Sequence, residues 1–435
     1  MNLPETDTIF AVASGAGRAA IAIMRVSGPA SGALLDALCG VRPEPRRASL
    51  RRLRDAGGEE LDRAMVLWLP GPGSYSGEDS AELHLHASRA VIAGVADALA
   101  RLGARPAEPG EFTRRAFLNG RMDLIEAEAV GDLVAAETAG QRRQALRQLD
   151  GALGELYRGW AERLRLMLAE QEALIDFPDE ALPPETEAAM LAELSVLQAA
   201  LGQHLDDGRR GERLREGLVF AVTGPPNVGK SSLVNALAGR DVAIVSELPG
   251  TTRDALETRL ELGGVPVTLV DTAGLRETGD AIEAEGVRRA RSRAAAADLV
   301  VSVYDIRAGT GGMGGHESVP ELCVANKADL GGVAPEGVLA VSATTGAGLD
   351  RLRVRLALEA HGLTDAAGPP PLTRARHRAA LREAAERLAG ARAAAWPELR
   401  AEDLRLALRA LGRVTGQVGV EDILDTIFAR FCIGK

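Results

Sequence analysis

One glycine-rich segment in the middle of the chain constrains its fold more than any other feature. The segment begins at Gly224 and reads GPPNVGKS. It follows the apolar run LVFAVTG, which predicts a strand, and precedes an apolar stretch that predicts a helix. This order is typical of a phosphate-binding loop, because glycine lets successive backbone N–H groups face phosphate oxygens. We predict that Lys230 contacts the outer phosphates and that the Ser231 hydroxyl binds Mg²⁺.

Three further motifs follow at the ends of predicted strands, and together they indicate a guanine nucleotide. Asp271 begins DTAG, where its carboxylate can hold the metal through water and the Gly274 N–H can bond the γ-phosphate. In the NKAD motif, residues 326–329, the Asp329 carboxylate can accept hydrogen bonds from N1–H and the 2-amino group of guanine. Adenine presents neither donor in that arrangement, so the site selects GTP. Ser342-Ala343 ends the next strand and is expected to back the base with a backbone N–H.

The segment between the phosphate-binding loop and DTAG contains GTTRD, residues 250–254. A threonine in such a switch closes over Mg²⁺ in the GTP state, and we assign that role to Thr252. The position after DTAG holds Leu275, which cannot orient an attacking water as glutamine does in Ras, so we assign that task to Glu283. Asn227 either supplies an oxygen to a monovalent cation that stabilises transition-state charge or only braces the loop.

The order of predicted strands and helices indicates a multidomain protein of α/β and α type. Residues 1–118 mix short apolar strands with a helix and predict an α+β domain. Residues 119–213 place apolar residues at helical spacing and predict a helical bundle. Strands and helices alternate over residues 214–372, as in a parallel sheet with crossover helices. Residues 373–435 return to helix, so the simplest architecture inserts the α/β domain into the helical domain.

Charge and residue usage limit the classes of partner. The chain has 435 residues and a formal net charge of −10, so any contact with RNA is local or shared with a partner. A cluster of arginines between residues 46 and 54 is interpreted as solvated surface. Lysine occurs only three times in this arginine-rich chain, at Lys230, Lys327 and Lys435. Two of these lie in nucleotide motifs, which draws attention to the third, although a terminal lysine can also survive by chance.

Three widely spaced cysteines argue against a disulfide framework and for a reducing cytoplasm. Cys39 and Cys323 are interpreted as packing residues in apolar stretches. Cys432 is either a small buried hydrophobe or a reactive group. We find no secretory signal and no apolar run long enough to span a membrane, so we expect a cytoplasmic protein without membrane contact.

Several segments outside the nucleotide motifs resemble the MnmE (TrmE) family. GTTRD, DTAGLRE and NKAD are shared by several GTPases of the translation-factor class, so the flanking segments are more specific. These are the start of the chain at residues 7–31, the GED run at 77–79, PGEFTRRAFLNG at 109–120, DFPDE at 176–180 and FCIGK at 431–435. The resemblance extends over essentially the whole chain.

This resemblance implies three domains: an N-terminal α+β domain that binds a tetrahydrofolate one-carbon donor and forms a homodimer, and a helical domain with an inserted Ras-like P-loop GTPase domain. It implies a K⁺- and Mg²⁺-dependent GTPase. The family acts with a flavin-containing partner, MnmG, to add an aminomethyl or carboxymethylaminomethyl group to C5 of the tRNA wobble uridine. The folate would be the 5,10-methylene or 5-formyl form.

The resemblance also implies roles for individual residues. Catalytic roles fall on Glu283 and Cys432. The Mg²⁺ ligands would be Ser231 and Thr252, and the K⁺ ligands Asn227, Ser246, Leu248 and Thr251. Folate would be bound by Arg25, Glu82, Arg121 and Lys435. The GTP-binding residues would be Asn227, Val228, Gly229, Lys230, Ser231, Ser232, Ser246, Glu247, Leu248, Pro249, Gly250, Thr251, Thr252, Asp271, Thr272, Ala273, Gly274, Asn326, Lys327, Asp329, Ser342 and Ala343.

The sequence departs from the family pattern at LHAS, residues 85–88, where a His-Gly-Gly run is usual, and it is shortened between residues 306 and 317. A competing hypothesis is a ribosome-assembly or RNA-binding GTPase that switches binding without modification chemistry. Such a protein would share the nucleotide motifs but would not need Cys432 or a folate pocket. A membrane-remodelling GTPase would need an amphipathic lipid-binding segment, and we identify none.

Overall fold

The computed structural model describes residues 7–15, 17, 19–176, 184–239, 257–271, 296–308, 319–365, 370–418, 421–429, 431, 432 and 434. The chain divides into two compact units. The first comprises Met1–Gly131, Gly154–Ala161 and Arg409–Lys435, and the second comprises Asp132–Leu153 and Glu162–Leu408. The finer division at residues 118, 213 and 372 stays a prediction.

The first unit contains a six-stranded sheet with the strand order β3-β4-β5-β2-β1-β6. Its pairs are antiparallel except for β1 and β6, which run parallel. The strands are β1 Ile9–Val12, β2 Ile21–Ser27, β3 Ser49–Arg54, β4 Glu60–Leu69, β5 Ser80–His86 and β6 Arg105–Pro106. Alternate residues of β2 and β5, including Met24, Val26 and Leu83, are buried in one core, as expected for a sheet with one covered face.

The second unit contains a six-stranded sheet with the order β12-β11-β10-β7-β9-β8. Only the β8–β9 hairpin is antiparallel, which confirms the predicted mostly parallel sheet. The strands are β7 Leu218–Thr223, β8 Glu257–Leu262, β9 Val265–Asp271, β10 Leu299–Asp305, β11 Glu321–Asn326 and β12 Leu339–Ala340. Their apolar side chains, such as Phe220, Val267 and Val324, form a continuous core. The carboxyl ends of the parallel strands meet at one edge of the sheet, where ligands bind in such folds.

The helices of the described residues run in chain order as follows. They are α1 Ser31–Cys39, α2 Arg89–Arg101, α3 Glu111–Leu118, α4 Leu124–Ala135, α5 Ala139–Leu149, α6 Ala152–Asp176, α7 Pro184–Leu205, α8 Arg210–Glu216, α9 Lys230–Ala238, α10 Leu349–Thr364, α11 Ala375–Ala393, α12 Pro397–Thr415 and α13 Glu421–Phe428. None of these described helices is both long and apolar enough to cross a membrane.

Helix α5 forms hydrogen bonds with both ends of the α/β part of the second unit, one where the chain enters it near Gly211 and one where the chain leaves it near Thr373. Gln144 donates its amide N–H to the carbonyl oxygen of Gly211 at 3.0 Å, where the chain leads into β7. Gln148 donates to the Thr373 hydroxyl at 2.7 Å, where the chain returns to helix. Gly211 also lies so close to the Leu372 carbonyl that a Cβ atom would overlap it. The helical segments on both sides of the α/β part are therefore joined, as the predicted insertion requires.

Candidate functional site

The phosphate-binding loop lies against the carboxyl ends of two neighbouring strands. Gly224 has φ +137°, and a Cβ atom there would overlap the carbonyl oxygen of Val303, two residues before the end of β10. Gly229 has φ +91°, and its Cβ would lie 2.5 Å from the Asn326 amide nitrogen at the end of β11. Glycine is therefore required at both positions by backbone conformation and by space.

The predicted phosphate and metal ligands come together at the start of α9. Lys230 is buried and donates to the carbonyl oxygens of Gly224 at 2.7 Å and Pro225 at 2.8 Å, so its ammonium lies inside the loop. The Ser231 hydroxyl donates to the Asp271 carboxylate at the end of β9. A hydroxyl and a carboxylate in contact are oxygen ligands of the type Mg²⁺ prefers, so these residues fit the predicted metal.

The side-chain amide of Asn326 connects the NKAD motif to both the phosphate-binding loop and the Ser342-Ala343 motif. The Asn326 side chain donates to the Val228 carbonyl at 2.8 Å and accepts from the Ala343 N–H at 3.0 Å. The Ala343 N–H, one of the two backbone N–H groups of the Ser342-Ala343 motif predicted to back the base, is thus hydrogen-bonded to the NKAD motif. The Ser342 hydroxyl donates to Oδ1 of Asp329 at 2.5 Å, which fixes the carboxylate predicted to choose the base.

The sequence reasoning missed Asp305, the last residue of β10. Its carboxylate accepts from Lys327 at 3.0 Å and from both Nε and Nη2 of Arg307, at 3.0 and 2.8 Å. Hydrogen bonds from the Arg307 side chain and backbone, and then from Lys327, hold the pKa of Asp305 well below its usual range. Lys327 also donates to the Asn227 carbonyl at 2.6 Å. An acidic residue at a strand end, the D of VSVYD, was the signal that could have identified it.

Asn227 itself is exposed and has φ +63°. Other predicted residues lie outside the described part of the chain, so the structure says nothing about them. They are Ser246, Glu247, Leu248, Pro249, Gly250, Thr251, Thr252, Thr272, Ala273, Gly274, Leu275, Glu283 and Lys435.

A second group of predicted residues meets in the first unit. Arg25 on β2 donates to Oε1 of Glu82 on β5 through Nε at 3.2 Å and Nη2 at 2.9 Å. The guanidinium carbon lies 5.2 Å from the ring centre of Tyr75 and 5.7 Å from that of Phe112. These four side chains line a cavity of about 20 Å³.

Arg121, the third predicted folate residue in the described part of the chain, lies beside the loop that borders this cavity. Its Cγ would lie 3.1 Å from a Cβ atom at Gly77, and the neighbouring Asn119 donates to the Ser76 carbonyl at 2.8 Å. Ser76 lines the cavity. The loop, rather than a direct contact, therefore connects Arg121 to Arg25 and Glu82.

A buried ionic network that we did not predict supports this pocket. The Glu111 side chain is buried and accepts from Arg105 at 2.6 Å and from Arg115 at 2.9 Å. Burial alone would raise the pKa of Glu111, but hydrogen bonds from Arg105, the Glu108 N–H and Arg115 lower it below the ordinary value. Arg115 also reaches the Glu78 carboxylate of the GED run at 3.3 Å. The spacing of charges in PGEFTRRAF, with Glu111 and Arg115 one helical turn apart, was the available signal.

The carboxyl-terminal tail docks on the amino-terminal sheet of the first unit. In α13, Leu424 and Phe428 pack on Leu124 and Ala127 of α4. The Cys432 carbonyl accepts from the Gly110 N–H at 3.5 Å, and Gly434 lies against the Val12 carbonyl.

The docking position places the tail close to the second group of predicted residues. Val12 ends β1, in which the preceding Ala11 pairs with Arg25 of β2. The tail thus ends beside the strand next to the Arg25–Glu82 pair, and Cys432 is exposed there. The three cysteines are free, while Cys39 and Cys323 are both partly buried, as expected for packing residues.

The departure at residues 85–88 has structural roles of its own. The His86 ring lies 2.7 Å from the Asp62 carboxylate, and the Ser88 hydroxyl accepts from the Val91 N–H at 3.1 Å and caps α2. Leu85 is buried in the core of the sheet. These residues therefore close the end of β5 and begin α2 without glycine.

Comparisons with known proteins agree over nearly the full chain. The sequence model of the GTP-binding protein TrmE N-terminus matches residues 8–121, and that of the MnmE helical domain matches residues 124–432. The tRNA modification GTPase MnmE of Gluconacetobacter diazotrophicus is 61% identical and covers 98% of each chain. That of Granulibacter bethesdensis is 56% identical and covers 99% of each. Among solved structures, the FeoB G-domain of Methanococcus jannaschii is 27% identical and covers 33% of this chain and 97% of that one, with a TM-score of 0.23.

Proposed function

The chain belongs to the MnmE family of tRNA modification GTPases, and on that premise we propose that it is a K⁺-activated GTPase that modifies C5 of the tRNA wobble uridine. It would act in the cytoplasm as a homodimer with the flavoprotein MnmG. The added group would be of aminomethyl or carboxymethylaminomethyl type, with its one-carbon unit drawn from a tetrahydrofolate derivative.

The observation that carries this proposal is that one chain holds two separate sets of functional groups. One is the nucleotide site around Lys230 and Asp329 in the second unit. The other, in the first unit, is the Arg25–Glu82 pocket with the exposed Cys432 docked nearby. A GTPase that only switches RNA binding would need the first set alone.

In the nucleotide site, Lys230 and the loop N–H groups bind the phosphates, and Asp329 holds the guanine. Ser231, with Thr252, would ligate Mg²⁺, and Asp271 would support the metal through water. Bound Mg²⁺ neutralises charge on the phosphate oxygens. Asn227, with Ser246, Leu248 and Thr251, would hold K⁺, whose charge replaces that of an arginine finger. Glu283 would orient the attacking water.

In the first unit, Arg25 offers a planar donor pair and two aromatic neighbours, which suit an aromatic ligand that carries carboxylates. Glu82 can accept hydrogen bonds from ring N–H groups of such a ligand. Arg121 and Lys435 would pair with the glutamate tail of folate. The cavity of about 20 Å³ is far smaller than cavities that bind ligands usually are, so binding of a pterin would require side chains that line it to move.

The cation requirement can be tested by steady-state GTP hydrolysis in KCl and in NaCl at equal ionic strength. We expect several-fold faster turnover in K⁺, because the ion must lose water and fit among fixed oxygens. Asn227→Ala should reduce the rate in K⁺ to that in Na⁺ while GTP binding is retained. Equal turnover of the wild type in both salts would refute K⁺ activation.

The modification itself can be tested by nucleoside analysis of tRNA from a strain that lacks this chain. We expect the C5 substituent of the wobble uridine to disappear and to return when the gene is supplied in trans. Normal nucleosides together with defective ribosomal subunits would favour the ribosome-assembly hypothesis instead.

A further inference from the structure

A cleft of about 420 Å³ lies in the second unit, in a place that the proposed chemistry does not use. It is bounded by α5, the turn between β8 and β9, and the end of α10. The residues that matter for its chemistry are Arg143, Arg147, Gly263, Gly264 and His361. Its volume is within the range of clefts that bind ligands.

The cleft is distinct from the nucleotide site. Strand β9 begins at Val265, which lines the cleft, and ends at Asp271, which contacts Ser231. Seven residues of extended chain span about 20 Å. The cleft therefore lies at the opposite end of β9 from the candidate nucleotide site.

One end of the cleft places an arginine and a histidine side chain next to a turn without side chains. Gly263 and Gly264 have φ values of +63° and +87° and form the two-residue turn of the hairpin. A Cβ atom at Gly264 would lie 3.6 Å from Nη2 of Arg143, and one at Gly263 would lie 2.8 Å from Nε2 of His361. Because the turn has no side chains, a ligand between Arg143 and His361 can approach the backbone closely.

Two of the three arginines of α5, Arg143 and Arg147, differ from the paired arginines of this unit. Arg378 is paired with Asp207 at 2.6 Å and with Glu212 at 2.9 Å, and Arg374 is paired with Asp132 at 2.7 Å. Within the described part of the chain, Arg143 and Arg147 form no hydrogen bond or ion pair and both are exposed. They are one helical turn apart, so they face the same side of α5.

Two carboxylates, Asp150 and Asp365, also line the cleft. Asp150 follows the last residue of α5, seven positions after Arg143, and this separation is about 10 Å along a helix. Asp365 follows the last residue of α10, four positions after His361. Within the described residues neither carboxylate is paired with Arg143 or Arg147, so both guanidinium groups are available to an anion.

We propose that Arg143 and Arg147 bind backbone phosphates of tRNA across this cleft. The proposal rests on the proposed function, which supplies the polyanion. A chain with a net charge of −10 must hold RNA through local contacts, and exposed guanidinium groups without carboxylate partners are suited to phosphate. The cleft is open to solvent, so a backbone can lie across it while the nucleotide site stays accessible.

The test is binding of a tRNA that carries the wobble uridine to the full-length chain, in the presence of the flavoprotein partner, measured over a series of KCl concentrations. We expect Arg143→Glu/Arg147→Glu to weaken binding at least tenfold and to reduce the slope of log K against log [KCl] by about 1.5, since each phosphate contact contributes about 0.7 to 0.9. Arg143→Lys/Arg147→Lys should keep most of the affinity. GTP hydrolysis should be unchanged in both variants.

A matched control makes the same change of charge elsewhere in the unit. Arg382 and Arg392 on α11 are exposed, and Arg382→Glu/Arg392→Glu should leave the affinity within about twofold of the wild type and the slope unchanged. Equal losses in the two double variants would show a general charge effect and overturn the proposal. So would wild-type affinity in the Arg143→Glu/Arg147→Glu variant.

A second arm separates tRNA from a small phosphorylated ligand. Calorimetric titration of the GDP-saturated wild type with inorganic phosphate should give no binding below the millimolar range. Submillimolar binding that is lost in Arg143→Glu/Arg147→Glu, with tRNA affinity unchanged, would assign the cleft to a small anion and overturn the tRNA proposal.

If the wild type neither binds nor modifies tRNA, the proposed function fails as well. If the wild type modifies tRNA and the Arg143→Glu/Arg147→Glu variant binds tRNA as tightly as the wild type does, this inference fails and the proposed function stands.

Discussion

At the scale of single residues, Asp329 is expected to choose the base. Its carboxylate is fixed by the Ser342 hydroxyl at 2.5 Å, so it is aimed before the nucleotide arrives. Asp329→Asn replaces one acceptor with a donor. We expect GTP affinity to fall at least a hundredfold, or about 3 kcal/mol, and affinity for xanthosine triphosphate to rise, because its 2-position is a carbonyl. Titration with fluorescent analogues of both nucleotides would measure this, and unchanged GTP binding would refute the assignment.

Glu111 is expected to make the stability of the first unit depend on pH. Its pKa in the folded protein is lowered from an ordinary value of 4.5, so its contribution is present above that value and is lost as the pH falls through the folded pKa. Glu111→Gln should cost about 3 kcal/mol at pH 7, because Arg105 and Arg115 lose a buried partner. Urea unfolding should show that the difference in unfolding free energy between the wild type and Glu111→Gln becomes smaller below pH 4.5.

The matched control for Glu111 is the surface pair of Glu44 and Arg47, whose side chains are 73% and 70% exposed. Glu44→Gln should change stability by less than about 0.5 kcal/mol at either pH. If the difference in unfolding free energy between the wild type and Glu111→Gln stays constant with pH, the ionised Glu111 carboxylate has no stabilising role.

At the scale of elements, docking of the tail is expected to depend on Gly434. It has φ +97°, and a Cβ atom would overlap the Val12 carbonyl. Gly434→Ala should displace the tail and reduce tRNA modification at least tenfold, with GTP hydrolysis unchanged. Gly103 has φ +94° with open space around it, so Gly103→Ala tests the backbone conformation alone and should retain modification. Equal losses in the two variants would mean that docking of the tail is not the cause.

The strands of the second sheet could be predicted because each is a short apolar run bounded by glycine or a motif. The nucleotide motifs could be placed at one edge because parallel strands end together. Contacts between distant positions could not be predicted, such as Gln148 with Thr373 or Gly434 with Val12. Each of these contacts depends on how helices and strands pack against one another, and local sequence patterns do not predict that packing. The same holds for Asp305 at the end of β10, whose contact with Lys327 depends on the pairing of β10 with β11.

At the scale of the whole molecule, hydrolysis and modification are expected to be separable. The nucleotide motifs lie in the second unit, whereas the tail docks within the first. Deletion of residues 432–435 should leave K⁺-stimulated hydrolysis within about threefold, a change of less than ~1 kcal/mol in the barrier. The same deletion should abolish modification of the wobble uridine. A truncated chain that modifies tRNA normally would refute the roles of Cys432 and Lys435, and one that loses hydrolysis would assign the tail to folding.

The contact between Gly211 and Leu372 also bears on how such a chain could arise. The two positions where the α/β part joins the helices touch each other, so the helical segments would meet with almost no gap if residues 212–371 were cut out. An inserted domain whose two ends lie this close together adds little loop-closure entropy to the domain that receives it. Insertion of a complete nucleotide-binding module into a helical bundle at this point would therefore leave the packing on both sides of the junction intact.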